Sequence, residues 1–292
     1  MPGIWLLVLC IFCNVLLAVI FKGFAHYKVD NLKAIIVNYF VCVIVSSLFI
    51  GAWSVPLSVF KSSWFFHSLV LASLFIVGFN LLAIAFQKAG ISLTVMLQKM
   101  SLLMPVFFAV LLFGEPWTML HMAGVLMALV AVVLVNLQSS SPEPSAPRIG
   151  WNILIYPVLV FLLSGLIEII LYHVQAGGYL GDSGIQFTAT SFCLAGILGL
   201  IYLLFQNGLN NLFSSRDIAG GIILGIPNFL TIYLLIYLLG QGWAGAVLFP
   251  INNVSILLLT SIVGYLFFKE KVGTMKLIGL VAGTAAIILL GT

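Results

Sequence analysis

The sequence predicts an all-α polytopic membrane protein with ten transmembrane helices. Hydrophobic residues make up 63% of its 292 residues and charged residues only 6%, whereas a soluble domain carries about 25% charged residues. Eleven basic and seven acidic residues are too few to cover a soluble surface, so lipid must be the outer solvent. The apolar runs are about 20 residues long, which suits helices that cross a core of roughly 30 Å and is far too long for barrel strands.

Charged residues, Pro and Gly separate ten such runs along the chain. They cover residues 4–22, 32–52, 64–87, 91–113, 117–137, 151–175, 184–206, 217–240, 243–268 and 272–291. The first run has neither a basic leading segment nor a small-residue cleavage site, so it is interpreted as a first span rather than a removed signal peptide. The sequence therefore predicts ten spans.

A polar segment rich in Ser and Pro, residues 139–150, divides the chain near its midpoint. Such composition is typical of a linker. It predicts one five-helix repeat over residues 1–138 and a second over residues 151–292. Because each half has an odd number of spans, the two repeats must have opposite orientations in the membrane, an arrangement found in secondary transporters.

A weak internal repeat supports this division. Glu115 ends the fourth run and Glu270 ends the ninth, with a separation of 155 residues. Ala89-Gly90 and Ala244-Gly245 have the same separation. Both acidic residues are interpreted as structural markers, because a carboxylate is favoured beside the N-terminus of the helix that follows it. Glycines in the fifth and tenth runs, including Gly124, Gly279 and Gly283, are expected to permit close helix packing.

The sequence predicts two five-helix repeats, with Pro105 in the fourth run, Glu115 at its end and glycines in the last run of each half. In these features the chain resembles the drug/metabolite transporter superfamily. Within it, the chain is similar to the ten-helix EamA-type family. The resemblance covers the whole chain and implies a bacterial inner-membrane carrier of small polar metabolites such as amino acids, with both termini cytoplasmic. One departure is that the ninth run has its proline early, at Pro250.

The segment from Ile4 to His26 also resembles the first helix of the small multidrug resistance transporters. Those four-helix proteins carry a membrane-embedded glutamate that exchanges protons for substrate. The matching positions are Asn14 in the first half and Glu168 in the second. The resemblance therefore implies a single proton-coupling glutamate, Glu168.

Two ionisable residues lie well inside predicted spans, and an intramembrane charge is a functional hypothesis by default because its insertion costs about 2.5–3.5 kcal/mol. Glu168 lies in the sixth span with Ser164 and Tyr172 on the same helix face. Burial favours its neutral form and an approaching cation favours its charged form, as proton exchange requires. Lys99 lies in the fourth span. It could bind an anionic substrate group, pair with Glu168 in a structural ion pair, or extend to the interface.

The remaining candidate substrate-binding residues are polar side chains at helical spacing inside the apolar runs. They are Asn14, Asn38, Asn80, Gln98, Tyr172, His173, Asn252 and Asn253, together with Lys99. Each alone could equally make an interhelical hydrogen bond, but together they predict a polar cavity. Tyr233 and Tyr237 could line its aromatic wall or simply pack.

Several classes of function are not supported by the sequence. The dispersed net charge of +4 forms no basic stripe for nucleic acid. The metalloprotease, nucleophile-elbow and phosphate-loop motifs are missing, so no catalytic residue, cofactor or direct ATP coupling is predicted. Three histidines have no acidic or Cys partners at metal spacing, and no metal site is proposed.

The sequence thus predicts a secondary transporter, an exporter of a small polar metabolite that works by alternating access and is coupled to protons. The alternative is a flippase for a lipid-linked sugar or another amphipathic lipid, and a membrane scaffold or receptor is a third reading. A monomer and a homodimer both remain open. The orientation of the chain in the membrane is also open. The basic residues concentrate in loops after odd-numbered runs, which would place both termini outside, whereas the family resemblance implies that both termini are cytoplasmic.

Overall fold

A computed structural model of the chain describes residues 3–137, 151–207, 213–268 and 272–292. Within these ranges all regular structure is helical. The α-helices are α1 (Ile4–Tyr27), α2 (Asn31–Ile50), α3 (Phe65–Ala89), α4 (Ile91–Met100), α5 (Leu103–Phe113), α6 (Met119–Leu137), α7 (Trp151–Ala176), α8 (Gly184–Asn207), α9 (Ser215–Gly240), α10 (Gly245–Phe268) and α11 (Thr274–Leu290), with a 3-10 turn at Leu57–Lys61. The predicted linker and Glu270 lie outside the described residues.

All ten predicted runs are helical, which confirms the prediction of an all-helical polytopic membrane protein. Nine helical segments in the described ranges are long and apolar enough to cross a membrane, counting α4 and α5 as one segment, Leu93–Phe113. The last helix, α11, is apolar but has 17 residues, a length of about 25 Å, at the short end of the spanning range. The first helix is five residues longer than predicted and ends at Tyr27.

The fourth predicted span is broken in its middle, close to Pro105. Pro105 has no N–H to donate to the carbonyl of Ser101, four residues earlier. Instead the Met104 N–H donates to the Ser101 carbonyl at 2.9 Å, and the Ser101 hydroxyl donates to the Gln98 carbonyl at 2.6 Å. These local bonds replace helical ones, so α4 ends at Met100 and α5 begins at Leu103.

The described helices form two compact units, each drawing on both halves of the chain. Unit 1 comprises Met1–Ile76 and His173–Gln241, and unit 2 comprises Val77–Tyr172 and Gly242–Thr292. In unit 1, α2 packs against α8 and α9, and α1 packs against α9. In unit 2, α6 packs against α11, and α10 packs against α5 and α11. The helices α3 and α7 each contribute one part to each unit.

Small residues bring the helices of each unit close together. In unit 1, a Cβ atom added to Gly221 of α9 would lie 2.5 Å from Val37 Cβ and 2.7 Å from the carbonyl oxygen of Ala34 in α2. In unit 2, a Cβ atom added to Gly279 of α11 would lie 2.9 Å from the backbone nitrogen of Val135 in α6. The predicted packing role of Gly279 is therefore confirmed, as expected for membrane helices whose association depends on close backbone approach.

The contact between α2 and α9 yields a stability prediction. Gly221→Ala should destabilise unit 1 by about 1–3 kcal/mol, because its Cβ would overlap backbone that cannot move aside cheaply. A lower thermal unfolding midpoint of the purified protein in detergent would show this.

Gly23→Ala in α1 is the matched control for this substitution. A Cβ atom there meets nothing within 4 Å, and alanine is the better helix former by about 1 kcal/mol, so the midpoint should stay or rise. An unchanged midpoint for Gly221→Ala would contradict the close packing of α2 and α9.

Candidate functional site

A polar network in unit 2 joins three membrane-spanning helices. Lys99 of α4 donates from Nζ to Oδ1 of Asn253 in α10 at 3.2 Å. The amide nitrogen of Asn253, Nδ2, donates to Oε1 of Glu168 in α7 at 2.8 Å. In the described residues the two charges are thus bridged by Asn253 rather than joined in a direct ion pair. The network brings together three residues that the sequence analysis selected as candidates.

Hydrogen-bonding capacity remains unused at both ends of this network. Oε2 of Glu168 is buried and has no hydrogen-bond partner among the described residues. An ammonium group has three N–H donors, and Lys99 uses one of them on the protein. A buried polar atom without a partner is costly. A ligand with an acidic and a basic group could satisfy both ends.

Local backbone features fix the bridging side chain. Nδ2 of Asn253 also donates to the carbonyl of Phe249, one turn earlier, at 3.1 Å. Pro250 lies inside α10 and cannot donate the helical bond to the carbonyl of Ala246. Asn253 itself is 6% exposed. The amide is therefore held in one orientation between Lys99 and Glu168.

The other candidate residues of unit 2 lie on the same three helices or on α3. Asn252 is buried beside Asn253, and Asn80 lies in α3 and Gln98 in α4, both half-buried. Tyr172 is buried and donates its hydroxyl to Glu115, not to Glu168. Its ring packs on those of Phe108, Phe113 and Phe249.

Glu115 marks a helix start, but of a different helix from the one expected. Its Oε1 accepts the N–H of Gly245 at 2.7 Å, and its Oε2 accepts the N–H of Ala246 at 2.8 Å. Oε1 also accepts the Tyr172 hydroxyl at 2.7 Å. Glu115 therefore caps the first turn of α10 rather than that of the next helix along the chain, α6. The physical reason holds in either case, because the free N–H groups of a helix start favour a carboxylate.

The three candidates of unit 1 are placed in different contacts. Nδ2 of Asn14 donates to the Cys10 carbonyl in its own helix at 2.9 Å. Oδ1 of Asn38 accepts from Nδ2 of Asn228 in α9 at 3.2 Å, and Asn38 is 1% exposed. His173 lies at the end of α7, with its ring 5.4 Å from that of His67. Asn38 is therefore explained as the acceptor of an interhelical hydrogen bond from Asn228.

The sequence analysis missed Asn228, although the signal was present. It is an amide inside an apolar run, one residue after Pro227, and so met the criterion that selected the other asparagines. No group of three or more His, Cys, Asp or Glu in the described ranges is placed to hold a metal ion.

Comparison with known proteins supports the fold and leaves the activity open. No known family profile matches the chain. The chain is similar to an uncharacterized protein of Haemophilus influenzae, at 28% identity over 225 residues that cover 75% of this chain and 71% of the relative. A solved crystal structure aligns with 98% of this chain and 98% of its own, with a TM-score of 0.72 and 14% identity. That likeness shows that an experimentally determined protein has this fold.

The cap on α10 yields a second prediction. Glu115→Ala should destabilise unit 2 by about 1–3 kcal/mol, because two backbone N–H groups and the Tyr172 hydroxyl lose a charged acceptor. Tyr172→Phe removes one of the three bonds and should have a smaller effect. Thermal unfolding in detergent would compare them. Equal midpoints for Glu115→Ala and the unaltered protein would refute the cap.

Proposed function

We propose that the protein is a proton-coupled secondary transporter that exports a small polar metabolite by alternating access. The observation that carries this proposal is the Lys99–Asn253–Glu168 network within spans that face lipid. Ionisable side chains in such positions are expensive and typically mark substrate or proton pathways. We further propose that the membrane is a bacterial inner membrane, which the similarity to a Haemophilus influenzae protein supports.

The chemistry of the network favours a zwitterion such as an amino acid. The unpartnered Oε2 of Glu168 would accept hydrogen bonds from a substrate ammonium. The unused N–H donors of Lys99 would bind a substrate carboxylate, since charge-assisted bonds are roughly twice as strong as neutral ones. The fixed amide of Asn253 would keep the two charged groups apart and aligned. A substrate with both groups is therefore the best match.

The proton and the substrate compete for the carboxylate of Glu168, and this competition couples proton movement to substrate movement. A proton on Glu168 and a substrate ammonium against Glu168 cannot be bound at the same time. Binding of either one weakens binding of the other by the same factor. In an exporter, substrate would leave as a proton arrives from the outside, and the proton would be released inside when the next substrate binds. The proton gradient would then drive efflux.

Alternating access rests on the second part of the proposal, that the halves are inverted five-helix repeats. Three pairs of corresponding spans pack directly together: α2 with α8, α5 with α10, and α6 with α11. These are the second and seventh, fourth and ninth, and fifth and tenth spans. Direct pairing of related spans is what a repeat with a two-fold axis in the membrane plane favours.

Proton flux in proteoliposomes tests the proposal. We expect pooled amino acids to move protons across the membrane when a pH gradient is imposed and internal pH is followed with a trapped indicator dye. Glu168→Gln keeps the size and the hydrogen-bonding capacity of the side chain but cannot exchange a proton. It should reduce substrate-dependent proton movement to the level of empty liposomes.

Asp30→Asn is the matched control, because it removes an acidic charge at an exposed position. Its side chain caps α2 by accepting the Lys33 N–H, and asparagine caps equally well. Its flux should equal that of the unaltered protein. Equal proton flux in Glu168→Gln would show that Glu168 is not the coupling group. Absence of flux with every metabolite pool would refute coupled metabolite transport.

A further inference from the structure

Unit 1 contains a cavity of about 230 Å³ at the end where α7 and α9 finish and α8 begins. At about 30 Å³ per water molecule, the space would hold about eight waters or one small organic ligand. Ten residues line it, among them Gln175, Asp182, Tyr233, Tyr237, Gly240 and Gln241. The lining includes part of the 177–183 loop and the last two turns of α9, from Tyr233 to Gly240, so the cavity lies at the ends of these spans.

Glycine lets a polar side chain of the lining lie against the α9 backbone. A Cβ atom added to Gly240 would lie 2.8 Å from Nε2 of Gln175, so the amide lies directly against the α9 backbone. The side chains of Gln175, Asp182 and Gln241 make no hydrogen bond to any described residue, and neither do the hydroxyls of Tyr233 and Tyr237. Five polar side chains therefore line one space with their hydrogen-bonding capacity unused.

The charge of the lining has a single sign. Asp182 is its one acidic residue, and no Lys, Arg or His is among the ten. Outside the lining, Lys28 and Arg216 lie at the opposite end of unit 1, beside the start of α9. Lys61 lies at the same end as the cavity but not in its lining, two residues before Ser63, whose hydroxyl donates to the Tyr179 carbonyl at 3.4 Å. From Arg216 to Tyr237 is about 30 Å along the helix, beyond the screening length of about 8–10 Å at physiological salt. The cavity therefore favours cations.

Aromatic rings reinforce that preference. Tyr233 stacks on Phe229 with centroids 5.6 Å apart and lies 6.0 Å from the ring of Tyr237. Tyr237 is 40% exposed and is part of the cavity lining, so its side chain can contact a ligand there. Tyrosine faces attract ammonium groups, and the attraction is stronger when the site is desolvated.

From this geometry we infer a binding site for a small organic ammonium ion, held between the Asp182 carboxylate and the rings of Tyr233 and Tyr237. Gln175 and Gln241 bind the ligand's hydroxyl or other neutral polar group. A zwitterion fits poorly, because its carboxylate would meet Asp182 with no basic residue in the lining to offset the repulsion. The site lies in unit 1, and its existence does not depend on proton coupling at Glu168 in unit 2.

Calorimetric titration of the full chain in detergent tests this site, with choline as the probe. The neutral analogue 3,3-dimethyl-1-butanol has the same shape without the charge. At about pH 8 histidine is neutral, and a fixed ionic strength of about 0.1 M keeps screening constant. We expect saturable choline binding and at least tenfold weaker binding of the neutral alcohol.

Two variants separate the contributions of charge and ring. Asp182→Asn should weaken choline binding at least tenfold, and Tyr237→Leu should weaken it severalfold, while Asp30→Asn should leave it unchanged. Both altered residues are exposed, so folding should persist, and a single symmetric elution peak with an unchanged helical circular dichroism spectrum verifies it. The inference is overturned if choline does not saturate the unaltered protein, if Asp182→Asn binds it equally well, or if the alcohol binds as tightly as choline.

Discussion

Opposite charges inside a lipid-facing bundle persist only when the protein supplies partners for them, and here the partner is a single amide. Asn253 accepts a hydrogen bond from Lys99 and donates one to Glu168, so it separates the two charged groups while bonding to each of them. Insertion scales place the cost of each charge at about 2.5–3.5 kcal/mol. A direct ion pair would recover more of that cost but would leave neither group open to a ligand. The bridged arrangement keeps Oε2 of Glu168 without a partner, which is consistent with a site that must exchange occupants.

Breaks in helical bonding occur close to this network. The chain interrupts its fourth span between Met100 and Leu103, directly after Lys99, and places Pro250 inside α10 three residues before Asn253. Irregular backbone at membrane depth is tolerated where protein or a polar cavity satisfies the freed groups. Glu115 then fixes the start of α10 by accepting two of its free N–H groups. Helix ends, proline breaks and the buried charges therefore act together to position Asn253.

Sequence reasoning predicted the spans well because lipid imposes a simple rule of length and apolarity, and it selected Glu168, Lys99 and Asn253 because polar atoms are rare in such runs. It could not predict that Asn253 would lie between the charges, since this depends on how α4, α7 and α10 are packed. The same holds for Glu115, which caps a helix 130 residues further along the chain. Asp182 and Gln241 were overlooked because they lie outside the apolar runs, where polar residues are ordinary.

The account depends most on Glu168 exchanging a proton against a substrate. Infrared difference spectroscopy of the purified protein, with Glu168→Gln to assign the band, observes the carboxyl C=O stretch of this residue directly. We predict a protonated-carboxyl band that disappears as pH is raised and also disappears when a transported substrate is added at constant pH, because both processes favour the carboxylate. A band that titrates with pH but does not respond to any substrate, or the absence of a titrating band assigned to Glu168, would contradict the account.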